Sequence, residues 1–187
     1  TYERRGGEGM DAQYARLESP RGLYVDDAGN VYIGENGRIR KITVATNTIT
    51  SVVGGASILT YNDLESPATS SYASSIYGLT GDSNGYLYFS DSDACRIRRV
   101  VLSTNIISTI AGAYFTCSFS GDTGQATSAR LAGPRGLSIF GNVMFIADFN
   151  NHRIRMINLN TGIITTVAGT GSTGTSLTNN VLPTSTI

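Results

Sequence analysis

The chain has 187 residues, and its 14 Lys and Arg balance 14 Asp and Glu, so no net field draws nucleic acid, anionic lipid or acidic substrates towards it. Only 15% of its residues are charged, against roughly 25% in an average soluble protein. Ser, Thr, Asn, Gly and Tyr must therefore supply most of the surface, which leans towards a secreted or cell-surface protein. No apolar run approaches the roughly 18 residues of a membrane span.

Taken in chain order, the first elements are four short strands. "GLYV" at residues 22–25 runs into the turn "DDAGN", then come "VYIGE" at 31–35, "RIRKI" at 38–42 and "TITSVV" at 48–53. Alternating β-branched and aromatic residues, interrupted by Gly, Asn and Asp, are the mark of strands in an antiparallel sheet. Asn36-Gly37 suits a two-residue hairpin between the second and third strands. The series then starts again with "SIYGLTGDSNGYLYFSDSDACRIRRVVLSTNIISTIAGA" from Ser75, and once more with "GPRGLSIFGNVMFIADFNNHRIRMINLNTGIITTVAGT" from Gly133. In that third copy, Gly141-Asn142 suits the hairpin between strands one and two.

Gly22, Gly78 and Gly136 mark one register in the three copies, and Leu17, Ala73 and Leu131 mark it in the stretches that precede them; Ile187 ends the chain at the next such point. The reading is all-β: a β-propeller of three four-stranded antiparallel blades, at about 19–55, 75–113 and 133–170. Long linkers join the blades, and 171–187 begins a further linker. The pattern resembles the NHL-repeat family in its long-period form, most closely through "ADFNNHRIRMI", "GIITTVAGTG" and the linker "SGDTGQATSARLAGPRG". The first repeat departs most, because its loop between strands two and three is only Asn36-Gly37. The second has "SIYG" for "GPRG", and Cys95 where the third has His152.

Propellers close with roughly 4–8 blades, so three make an incomplete ring with an apolar sheet face open at each end. Further blades of a larger propeller, a second copy, or stacking into an extended assembly would each cover those faces.

The "RIR" triplets (Arg38 and Arg40, Arg96 and Arg98, Arg153 and Arg155) follow an acid closing strand two in every copy: Glu35, Asp91 and Asp148. The expectation is an arginine–carboxylate pair within each blade, which leaves little free charge for nucleic acid. His152 is the only histidine, so no triad and no histidine-rich metal cage is expected. Some propeller hydrolases and lyases, NHL-like ones among them, hold a metal on the axis with His and carboxylates. The first strands "GLYV", "GLTG" and "GLSI" offer no such ligands, so neither enzyme activity nor a cofactor is expected. Cys95 opens strand three and Cys117 follows strand four on the same propeller face, so a disulfide is expected between them if their Cα atoms lie within about 7 Å; it implies an oxidising compartment.

The function expected is that of an extracellular or surface scaffold for protein binding or assembly, with the long linkers 56–77 and 113–135 and the loops between strands two and three as the contact face. Tyr61, Tyr72, Tyr114 and Phe115 are its expected anchors. Two alternatives stand beside this reading. One is a structural subunit joined through open blade edges; the other is a fragment of a metal-dependent lactonase-like or lyase-like propeller.

Overall fold

The computed structural model describes residues 7–54 and 65–173. Among these residues the only helical pieces are single three-residue 3-10 turns, and the strands fall into three sheets. The first blade is β1 (Gly22–Val25), β2 (Val31–Gly34), β3 (Ile39–Thr43) and β4 (Thr48–Val53). A two-residue strand, β5 (Ser66–Pro67), precedes the second blade, which is β6 (Ile76–Gly81), β7 (Tyr86–Asp91), β8 (Arg96–Val101) and β9 (Ile106–Gly112). The third is β10 (Pro134–Phe140), β11 (Val143–Asp148), β12 (Arg153–Asn158) and β13 (Ile164–Ala168). Each blade is an antiparallel meander in chain order, which short turns between successive strands favour. Asp26 shows why the first of these turns forms: its carboxylate accepts from the backbone N–H groups of Ala28 and Asn30 and from the Asn30 amide, an Asx-type closure.

Two features recur beyond the strands. Each linker lies against the outer strand of the blade it introduces, through Asp11 opposite Thr48, β5 paired with β9, and Gln125 opposite Ile163. It then makes one 3-10 turn, at Ala12–Tyr14, Ala68–Ser70 and Ala126–Ser128. The fourth strand of each blade also carries one extra residue, Val52, Ile110 or Val167, opposite the Ile–Arg step of strand three. Such bulges re-aim neighbouring side chains.

The core lies between blades. Tyr32, Ile39 and Val53 of the first blade join Ala68, Ala73, Ile76, Leu79 and Leu87 in one cluster. Tyr88, Ile97 and Ala111 of the second join Ala126, Ala129, Leu131, Met144 and Ile146 in the next. At each seam the forward face of a blade is sealed by the linker and rear face of its successor. Burying one such Ile or Leu side chain stabilises the fold by about 2 kcal/mol.

Candidate interaction surfaces

The start of each first strand, the loop joining strands two and three, and the chain leaving strand four share one face, because successive strands reverse direction. On that face Arg38 Nε donates to Glu35 at 2.6 Å and Arg96 Nε to Asp91 at 2.8 Å, with the acids fully buried. The third blade keeps the expected pair but makes it through the second arginine of its triplet. Asp148 is joined by Arg155, at 3.3 Å, and Arg155 also reaches Asp122 at 2.9 Å. Arg153 instead lies over the Phe119 ring and donates to the carbonyls of Thr170 and Asn151. The linker side chain Phe119 gives that guanidinium an aromatic face to cover.

The second arginine of each triplet has a role that the sequence reading missed. Arg40, Arg98 and Arg155 are fully buried, and their Nη1 groups donate to the carbonyls of Arg16, Tyr72 and Arg130 at 3.2, 3.2 and 3.3 Å. These acceptors stand one residue before Leu17, Ala73 and Leu131. The arginine therefore clasps its linker onto its blade, beside the bulge that re-aims it. Burial, together with neighbouring Arg38, lowers the pKa of Arg40. Burial pushes the Asp148 carboxyl above its ordinary range, although Ala132, Asn151 and Arg155 all donate to it.

Cys95 and Cys117 form a disulfide with a Cα separation of 5.3 Å. Cys95 and its counterpart His152 both hold positive φ, 57° and 50°, at the entry to strand three. Of the expected aromatic anchors, Tyr61 lies outside the described residues. Tyr72 and Tyr114 are half-buried, and the Tyr114 ring covers Arg96, 4.6 Å from its guanidinium carbon. Phe115, packed on Tyr114, is 58% exposed. No group of three His, Cys, Asp or Glu among the described residues is arranged to hold a metal.

The two end faces of the array differ from the two seams inside it. Ile154 is exposed, and Phe145 and Ala168 beside it are only partly covered or exposed, although their counterparts Tyr88, Ile97 and Ala111 are buried. At the other end Leu17 and Leu23 are exposed, where Ala73, Leu131 and Leu79 are buried. Glycine spacing gives the same contrast. A Cβ on Gly78 would strike the Arg135 carbonyl of the next blade's first strand, whereas one on Gly136 would meet only Ala147 at van der Waals distance.

Three four-stranded blades, stacked through successive linkers around a common line of first strands, define a β-propeller segment. Its repeats are similar to those of proteins that carry NHL repeats. Over 97 residues the chain is 35% identical to NHL repeat-containing protein 2 of Gallus gallus, a match covering 51% of this chain and 13% of that protein. Over 171 residues it is 28% identical to teneurin-1 of Mus musculus, covering 81% of this chain and 6% of that one. The chain thus spans only a small part of the curated relatives it matches. No family model matches it. Among solved structures, an auxiliary nutrient binding protein from Bacteroides ovatus superposes with a TM-score of 0.62 at 18% identity, over 83% of this chain and 37% of that one. Virginiamycin B lyase from Staphylococcus aureus does so at 0.51 and 22%, over 81% and 41%. At these identities the likeness is one of fold.

Proposed function

We propose that this chain is a non-catalytic, extracellular scaffold whose end faces are built to be covered by further blades of the same kind. The observation that carries the reading is the contrast between the seams and the ends. The surface that seals blade to blade twice within the chain is repeated, uncovered, on the third blade, and its complement is uncovered on the first. A contact of that hand is heterologous: it closes a ring if the rotation per blade allows and otherwise extends. The disulfide supports an oxidising, extracellular setting. The first strands, which contribute neither His nor carboxylate towards the axis, support a role without chemistry of its own.

Light scattering tests the reading. The 19.8 kDa chain should show masses at multiples of its own, and Ile154→Arg should return it to the single-chain mass with its β circular dichroism spectrum intact. A single-chain mass at every concentration, unaltered by Ile154→Arg, would overturn it.

A further inference from the structure

Residues 21, 77 and 135 stand at one position of the three repeats, each just before the "GL" glycine, and read Arg, Tyr, Arg. The glycines explain why these side chains meet. Gly22 packs on the Tyr77 carbonyl and Gly78 on that of Arg135, so neighbouring first strands approach with no Cβ between them. The result is a stack at the axial end of the linker face. The Arg21 guanidinium carbon is 4.5 Å from the Tyr77 ring centroid and that of Arg135 is 4.9 Å from it; Arg135 is also 3.5 Å from the Phe149 ring. Arg21 and Phe149 are exposed, and Tyr77 and Arg135 are partly so.

These two arginines differ from the arginines of the triplets. Among the described residues, neither side chain forms a hydrogen bond or an ion pair. The acids that close strand two are engaged, Glu35, Asp91 and Asp148 by triplet arginines, and so are Asp93, by Ser75, and Glu18. A guanidinium stacked on a ring keeps its N–H donors in its own plane, along an edge that remains open. That edge matches a carboxylate, which accepts two parallel N–H bonds. Base stacking is poorly served, because the Tyr77 and Phe149 rings are already covered by guanidinium groups. A net charge of zero provides no long-range attraction, so selectivity has to come from contact.

We propose that Arg21, Tyr77, Arg135 and Phe149 form a carboxylate-binding site for an acidic peptide segment of a partner protein. This deepens the scaffold reading and rests on it, but uses a surface separate from the blade seams. The test is a titration of the 187-residue chain with a fluorescent hexaglutamate peptide, followed by anisotropy. Wild type should bind, Arg21→Met with Arg135→Met should weaken binding at least tenfold, and Arg21→Lys with Arg135→Lys should recover only part of it, because lysine keeps the charge and loses the planar fork. Circular dichroism of both variants separates loss of the site from loss of the fold. The proposal falls if the peptide does not bind wild type, or binds the methionine variant equally well. It also falls if a hexathymidylate of similar charge binds as tightly with the same arginine dependence. None of these three failures alters the Ile154→Arg light-scattering result, so the two readings fail separately.

Discussion

Ile97 and Ile154 hold the same place in consecutive blades, at the centre of the arginine triplet, and project from the same side of their sheets. Ile97 is fully buried and Ile154 is 39% exposed. Nothing within the two blades accounts for this, since both have the same four strands and the same bulge. The difference is the neighbour: Ile97 meets the linker and rear face of the third blade. Burial in this array is therefore a property of seams, and a blade alone cannot complete its own core.

Truncating both residues puts that comparison under the largest strain. Ile97→Ala removes a packed side chain and leaves a cavity, at a cost of about 2–5 kcal/mol. Ile154→Ala should cost below about 1 kcal/mol, because water already reaches the site. Urea unfolding at low protein concentration measures both. Equal losses would mean that the third blade is covered in solution even when dilute.

The same seam logic explains what could be read from the sequence. The strands were legible because alternation and turn residues are local properties, and the blade count followed from the register of Gly22, Gly78 and Gly136. The acid–arginine pair was legible in all three blades, because Glu35, Asp91 and Asp148 precede their arginine triplets across a short loop. Which arginine of the triplet takes the acid was not legible: in the third blade Arg155 pairs with Asp148, while Arg153 lies over Phe119, a linker residue distant in sequence. The linker clasp by Arg40, Arg98 and Arg155 was not legible, because its acceptors are main-chain carbonyls, which carry no residue signature. The stacking of Tyr114 was not legible for a related reason: sequence shows an aromatic residue in a long linker, but not the guanidinium it covers.

A second contrast between the same blades is covalent. The second blade ties the entry of strand three to the following linker through Cys95–Cys117, a separation of 22 residues, where the third has His152. Closing a loop of this length stabilises by about 3 kcal/mol through the unfolded chain. Reduction should add about two daltons to the intact mass and lower the unfolding midpoint. It should also raise amide exchange at 93–117 far more than at 150–170. A midpoint indifferent to reductant would show that the disulfide adds nothing to the stability of the second blade.

The smallest expected effect is a pH dependence that separates the buried acid of the third blade from a surface turn of the first. Burial raises the Asp148 pKa above its ordinary value of 3.8. The folded state therefore holds that proton more tightly than the unfolded state. Its contribution to stability is complete below 3.8 and is lost as pH rises through the raised folded value. Asp26 behaves oppositely. Burial pushes its pKa up, but the donors Asn30 and Tyr32 outweigh this and leave it lowered. Its contribution is present above 3.8 and is lost as pH falls through the folded value. Asp148→Asn should thus remove a downward slope of stability with pH on the upper side of that value, and Asp26→Asn an upward slope on the lower side. Urea midpoints of both variants from about pH 2 to about pH 6 would measure the two slopes. Slopes of the same sign would show that Arg155 holds Asp148 ionised despite its burial, making the third-blade ion pair as firm as those of its neighbours.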